Sequence, residues 1–80
     1  MGTGLYRILK DRGWQLWDKN NVDHKGRQLL LCPLKDLENV PDGTTLECID
    51  GSECTKGKDY IDDDVRGGFL SYGVRVSPED

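Results

Sequence analysis

The fold is decided near the end of the chain, by the stretch GGFLSYGVRV at positions 67–76. After the two glycines, apolar residues occupy every second position, at Leu70, Tyr72, Val74 and Val76. Successive side chains of a strand point to opposite faces, so this alternation places all four on one face. We therefore predict a β-strand that turns one face towards the core.

Further strands are predicted upstream of this one. Leu29–Cys32 is continuously apolar, which predicts a central strand buried on both faces. Residues 44–50 alternate, with Leu46 and Cys48 directed inward, and predict a second central strand. The short acidic stretch 60–65 predicts an edge strand, since charges on an edge deter pairing with other chains.

The first thirteen residues are compatible with two structures. Thr3 can cap a short helix over residues 4–12, and Gly13 suits the left-handed position that follows a last helical turn. In the alternative, residues 5–10 form a strand that turns back at positions 11–13 as a hairpin. We favour the helix because Leu5, Ile8 and Leu9 have helical spacing.

The next two segments follow under either alternative. Residues 14–17 predict a strand with Trp14 and Leu16 on one face and Trp17 on the other. Pro33 suits the first position of a second short helix, which ends near Asn39 and directs three apolar side chains to one side. These three are Leu34, Leu37 and Val40.

These elements predict an α+β fold. We expect a small antiparallel sheet of four or five short strands, with one or two short helices packed on one face. Residues 1–76 should form a single small domain, and residues 77–80 a frayed tail. The mixture of 35% hydrophobic and 32% charged residues is typical of a globular protein rather than a disordered segment.

Size and composition also limit the function. A chain of 80 residues buries one modest core, so a deep catalytic cleft is not expected and we predict a protein that is not an enzyme. The longest apolar run, Leu29–Cys32, is far short of the ~20 residues that span a bilayer, so no membrane contact is expected. Three cysteines cannot all pair within one chain, which favours reduced thiols and a cytoplasmic location.

Residue types that bind zinc are present, but not in a zinc-binding pattern. His24, Cys32, Cys48 and Cys54 lack the closely spaced cysteine pair of zinc sites. Cys32 and Cys48 are instead expected in the core, where cysteine behaves as a small apolar residue. Cys54 lies near two lysines, but the acids beside it offset their charge, so a nucleophilic thiol is not favoured.

A calcium loop is matched only in part. Asp62, Asp64 and Gly67 occupy positions one, three and six of such a loop. Arg66 then takes position five, and Gly73 takes position twelve, where a bidentate glutamate is required. We expect no metal site and no cofactor, and a small metal-binding protein remains the least favoured hypothesis.

Charge is distributed unevenly along the chain. Residues 1–40 contain seven basic and five acidic residues, whereas residues 41–80 contain four basic and ten acidic. The favoured hypothesis is a non-enzymatic interaction module, of the adaptor or inhibitor type, that presents an anionic surface to a basic protein partner. The predicted partner-binding residues are Glu47, Glu53, Asp59, Tyr60, Asp62, Asp63 and Asp64.

The alternative hypothesis is nucleic-acid binding through the first part of the chain. Basic residues interleaved with aromatic ones can neutralise phosphates and stack on bases. The residues concerned are Arg7, Lys10, Arg12, Trp17 and Lys19. The net charge of -4 makes a nucleic-acid partner the less favoured one, and self-association into a homodimer is compatible with so small a core.

Overall fold

A computed structural model describes residues 4–59, 65–66 and 68–79. The predicted cap at Thr3 and most of the predicted edge strand over residues 60–65 lie outside these ranges. Among the described residues, no helix is long and apolar enough to cross a membrane.

The chain begins with the predicted helix, and the alternative hairpin is wrong. Helix α1 spans Leu5–Asp11. It has Gly4 as its N-cap, with no side-chain cap hydrogen bond, and Gly13 follows it with a φ of 97°. Glycine adopts this left-handed conformation without steric cost, which explains why the helix stops here.

The remaining regular structure in the described residues is one 3₁₀ helix, Leu34–Asn39, and six short strands. The prediction of α+β architecture with two short helices is confirmed. The strands are β1 (Gln15–Leu16), β2 (Gln28–Pro33), β3 (Thr45–Cys48), β4 (Glu53–Thr55), β5 (Val65–Arg66) and β6 (Phe69–Val76).

Five of these strands form an antiparallel open sheet in the order β1-β2-β6-β3-β4, and β5 pairs with the first residues of β6. β6 lies in the middle, with β2 along one side and β3 along the other. Gly73 pairs with Leu31 on β2 and with Glu47 on β3. A Cβ atom at Gly73 would lie 1.9 Å from the carbonyl oxygen of Leu30, so only glycine fits between the strands as they stand.

The sheet has two different faces. The helix face carries the main core, in which Trp14 and residues of β2, β3 and β6 pack with Leu9 of α1 and Val40 after the 3₁₀ helix. The side chains of Leu29, Leu31, Glu47 and Arg75 alternate with the core residues along their strands and therefore lie on the opposite face. Core residues on the helix face include Trp14, Leu30, Cys32, Leu46, Leu70 and Val76.

The second helix begins where predicted but differs in type and in packing. Pro33 ends β2 and immediately precedes the 3₁₀ helix. The three apolar residues predicted on one side of this helix differ in burial, since Val40 is buried, Leu37 is partly buried and Leu34 is 50% exposed. Lys56 satisfies the carbonyl groups at the end of this helix, because its Nζ donates to Leu37 at 3.0 Å and to Val40 at 2.6 Å.

β4 is the element that the sequence did not reveal. Residues 53–55 form an edge strand in a polar stretch for which the sequence predicts no strand. Cys54 pairs with Leu46 and packs against the core, while Glu53 lies directly opposite Glu47. β3 and β4 together, with the turn between them and the residues that flank them over positions 42–59, are called the hairpin below.

Candidate functional site

One buried carboxylate ties the helices to the sheet. Asp36, on the 3₁₀ helix, is 7% exposed. Its Oδ2 accepts a hydrogen bond of 2.7 Å from the Trp14 indole Nε1, and its Oδ1 accepts one of 3.0 Å from Asn39 Nδ2. Arg12 Nη2, at the end of α1, lies 3.1 Å from Oδ1 and 2.9 Å from Oδ2. A carboxylate this buried needs such partners to remain charged.

The electrostatic balance at Asp36 is in favour of the ionised form. Burial alone raises its pKa, but the hydrogen bonds from Asn39, Trp14 and Arg12 outweigh that effect and leave the pKa below its ordinary value. No sequence pattern indicated this network, because Asp36 stands in a polar, apparently solvated segment 22 residues from Trp14. The network joins three elements and is structural.

A second network, on the opposite face, is centred on Arg75 of β6. Its Nε lies 2.9 Å from Oε2 of Glu47, and its Nη2 contacts the same carboxylate. Nη2 also donates to the side chain of Asn21 at 3.0 Å, and Nη1 donates to the carbonyl of Arg27 at 3.2 Å. Arg75 therefore holds the loop before β2 against the sheet.

Ion pairing removes Glu47 from the anionic surface predicted for it. Across the two strands, Glu47 and Glu53 are directly opposed, a position at which like charges repel. Arg75 neutralises Glu47 and leaves Glu53 exposed. Glu53 has no ion pair among the described residues.

The hairpin carries three further carboxylates besides these two. Asp50, in its turn, accepts hydrogen bonds from the backbone and the hydroxyl of Ser52, and these bonds lower its pKa. Asp59 Oδ2 accepts the backbone N–H of Thr55 at 2.7 Å. Asp42 is exposed at the start of the hairpin. The hairpin carboxylates are defined here as Asp42, Asp50, Glu53 and Asp59.

The difference in charge between the two parts of the chain remains when the ion pairs are set aside. Three ion pairs join Arg12 to Asp36, Arg27 to Asp23 and Arg75 to Glu47. Apart from these pairs, five basic and two acidic side chains are described in residues 4–35, against two basic and six acidic ones in residues 36–79.

The two sets also lie on different elements. The basic residues of the first set lie on α1, in the loop before β2 and at the start of the 3₁₀ helix. The hairpin carboxylates flank β4, which is one end of the strand order. The hairpin carboxylates are therefore gathered at the β4 end of the sheet.

Three of the seven predicted partner-binding residues, Glu47, Glu53 and Asp59, are placed together on the hairpin. The other four, Tyr60, Asp62, Asp63 and Asp64, lie outside the described residues. The contribution of Asp42 and Asp50 was missed, because the sequence shows them only as turn residues.

The residues of the nucleic-acid hypothesis do not form one surface. Arg7 and Lys10 are exposed on α1, which lies on the helix face. Trp17, which is 37% exposed, alternates with the core residues Trp14 and Leu16 and therefore points to the opposite face. Arg12 is engaged by Asp36, and Lys19 is exposed in the loop that follows β1.

The cysteines are free thiols, and two of them are poor nucleophiles. Burial, followed by the nearby Asp36 carboxylate, raises the pKa of Cys32 to about 12. Burial likewise raises the pKa of Cys54. Within residues 4–59, 65–66 and 68–79, no group of three or more His, Cys, Asp or Glu side chains is arranged to hold a metal ion.

Comparison of the chain with models of known protein families, with curated proteins and with solved structures finds no match.

Proposed function

We propose that this chain is a non-enzymatic interaction module that presents the hairpin carboxylates to a basic surface of a protein partner. The single observation that carries the proposal is the pairing pattern. Arg75 neutralises Glu47, but the three ion pairs in the described residues leave out Asp42, Asp50, Glu53 and Asp59. An anionic field therefore remains at the β4 side of the sheet.

Complementary potential is the physical basis of this recognition. The hairpin carries these four carboxylates against two lysines, Lys56 and Lys58. Such an excess of negative charge speeds up the encounter with a basic partner and fixes its orientation, more than it adds affinity. The backbone hydrogen bonds accepted by Asp50 and Asp59 hold their carboxylates in place, which limits the entropy lost on binding. The free thiols favour a reducing compartment, so we place the interaction in the cytoplasm.

The test uses a fluorescent peptide of alternating lysine and glycine as a basic probe. Its dissociation constant is measured for the wild type and for Glu53→Lys. We expect the charge reversal to weaken binding about threefold to tenfold at low ionic strength, because one exposed charge pair contributes ~0.5–1 kcal/mol and the new lysine also repels the probe. The wild-type affinity should fall as ionic strength rises from about 20 mM to about 150 mM.

The matched control is Asp11→Lys, which changes the net charge by the same amount on α1 rather than on the hairpin. Asp11 is exposed at the last position of α1, where a lysine is also compatible with the helix dipole. Equal loss of affinity in the two variants would mean that the probe senses net charge alone, and the proposal would be abandoned. An affinity insensitive to salt would have the same consequence.

A further inference from the structure

A groove on the helix face lies between α1 and the end of the 3₁₀ helix. Its volume is about 210 Å³, less than the ~300–1,000 Å³ of sites for drug-sized ligands, so it accepts a single large side chain. On the side of α1 it is lined by Leu5, Leu9 and Arg12, and on the other side by apolar residues that include Val40 and Pro41. The groove is therefore a mostly apolar hole in the surface beside α1.

An exposed apolar side chain lies directly beside this hole. Ile8 is 50% exposed and does not line the groove. It comes three residues after Leu5 and four before Arg12, and residues at these spacings are neighbours on the surface of a helix. The same patch of surface therefore carries a protruding aliphatic side chain and a hole that fits one.

A protruding side chain beside a matching hole is suited to a two-fold dimer. In such a dimer both copies use the same patch, so the side chain of each copy enters the hole of the other. Leu5, in the wall of the hole, is 37% exposed, and its apolar surface would be covered together with that of Ile8. Both contributions to the free energy of association occur twice in one dimer.

The charges on α1 select an antiparallel arrangement of the two copies. Arg7 and Asp11 lie one turn apart, on the side of Ile8 that is turned away from the groove, and both are exposed. Neither belongs to an ion pair within the part of the chain that the structure describes. In an antiparallel pair of helices centred on Leu9, Arg7 of each copy lies opposite Asp11 of the other, whereas parallel helices would bring like charges together.

We propose that this chain forms a two-fold dimer through α1, in which Ile8 of each copy fills the groove of the other and Arg7 pairs with Asp11 across the interface. A second copy is favoured as the occupant because one patch carries both the side chain and the hole, and both members of the ion pair. An unrelated partner would have to supply each complement separately, whereas a second copy supplies them all by symmetry.

The first test measures the mass of the protein by sedimentation at concentrations between about 5 µM and about 500 µM. We expect the weight-average mass to rise with concentration from 9.0 kDa towards twice that value. Ile8→Ser should weaken the dimer at least about tenfold, because the substitution acts twice in each dimer. Leu34→Ser is the matched control, since Leu34 is also 50% exposed but lies outside the groove, and it should weaken the dimer by less than about twofold.

Charge exchange tests the orientation of the two copies. Arg7→Asp and Asp11→Arg should each weaken the dimer at least about fivefold, because each brings two pairs of like charges together. The protein with both exchanges should recover the wild-type affinity to within about twofold. An equimolar mixture of the two single variants should also dimerise, since one protein then carries acids at both positions and the other carries bases. Recovery of this kind separates a contact between copies from damage to the fold of one copy.

Trp14 reports where the second copy lies. The chain has two tryptophans, and only Trp14 lines the groove, with its indole N–H bonded to Asp36. Trp17 points to the opposite face and serves as an internal reference. In a nitrogen–proton correlation spectrum, the Trp14 indole signal should shift as the protein concentration rises, while the Trp17 signal stays in place.

Four outcomes would overturn this inference. They are a wild type that stays monomeric up to about 500 µM, equal effects of Ile8→Ser and Leu34→Ser, a mixture of the two charge variants that stays monomeric, and a shift of Trp17 without Trp14. The dimer does not depend on the proposed function. Glu53 lies on the opposite face with Glu47, so Glu53→Lys should leave the dimer unchanged while it weakens binding of the lysine–glycine peptide.

Discussion

On each face of the sheet an arginine–carboxylate pair joins residues that are distant in the sequence, but the two pairs differ in burial. On the helix face, the carboxylate of Asp36 is central and receives donors from residues in three parts of the chain. On the opposite face the guanidinium of Arg75 is central, and the side chains of Arg75 and Glu47 keep 15% and 24% of their exposure.

This difference in burial gives the two ion pairs different roles. A charge as buried as that of Asp36 must be fully hydrogen-bonded, so its network is part of the core and removing it destabilises the fold. The pair formed by Arg75 is closer to solvent and contributes less to stability. Its main effect is on the surface, where it decides which of two opposed glutamates remains charged and unpaired.

The largest effect should come from substituting Gly73. This residue lies in β6, the central strand, so a change there affects both faces of the sheet. We expect Gly73→Ala to lower the free energy of unfolding by roughly 3–4 kcal/mol, because the new Cβ would lie 1.9 Å from the Leu30 carbonyl oxygen and force β2 and β6 apart. Urea denaturation followed by tryptophan fluorescence measures it. Gly26→Ala is the control, since it too introduces a Cβ but into open space at a positive φ of 78°, and should cost only about 1 kcal/mol. Equal losses in both variants would contradict the close approach of the strands.

The next prediction compares the stability lost when the carboxylate of each ion pair is removed. Asp36→Ala should lower the free energy of unfolding by about 3 kcal/mol, because it leaves the Trp14 indole and part of Arg12 without their acceptor. Glu47→Ala should cost only about 1 kcal/mol, since Arg75 keeps its bonds to Asn21 and Arg27. A Glu47→Ala loss as large as that of Asp36→Ala would show that the opposite face is no less dependent on its ion pair.

Lowering the pH should destabilise the fold through Asp36 on the helix face, and the variant Asp36→Asn can show this. The folded pKa of Asp36 is lowered, so the stability that its ionisation contributes is present above the unfolded value of ~3.9 and is lost as pH falls through the folded pKa. Asp23 adds to the same loss. Its partial burial raises the pKa, but the backbone and side chain of Arg27 outweigh this and lower it to about 2.

The measurement is the free energy of unfolding of the wild type and of Asp36→Asn between about pH 6 and about pH 2. The variant cannot ionise at position 36, so its stability should fall less steeply with decreasing pH. Parallel curves for the two proteins would contradict the assigned role of Asp36.

The elements that the sequence predicts correctly are those whose hydrophobic pattern is visible within a single segment. The strict alternation up to Val76 and the apolar run around Leu30 predict their strands, because burial imposes a period that one segment displays alone. β4 was missed since it is three residues long and two of them, Glu53 and Thr55, are polar. Its position is fixed by pairing with β3, which no property of the segment itself encodes.

The candidate sites are also predictable only where their residues are close together in the sequence. The excess of acids after residue 40 is visible in the sequence, and part of it does gather on the hairpin. The two arginine–carboxylate pairs join residues 24 and 28 positions apart, and their partners are set by strand order and register.

The smallest expected effect is the change in binding affinity when Arg75 is removed. Arg75→Gln should cost about 1–2 kcal/mol of stability, since it removes the bonds to Glu47 and to the loop before β2. It should also leave Glu47 charged without its partner and raise the affinity for the lysine–glycine peptide about threefold. Fluorescence anisotropy at low ionic strength measures this. Unchanged or weaker binding would contradict the view that Arg75 limits the anionic field of the hairpin.

The most direct test of the proposed function is a map of the surface potential. Small positively and negatively charged nitroxides are added in turn, and the paramagnetic relaxation of each backbone amide proton is recorded. We predict that the cationic probe relaxes the amides of Glu53 and Thr55 more strongly than the anionic one, and that the order is reversed at Lys10 and Lys19. Equal relaxation by both probes at Glu53, or the same preference on both sides of the sheet, would contradict the separation of charge on which the proposed docking depends.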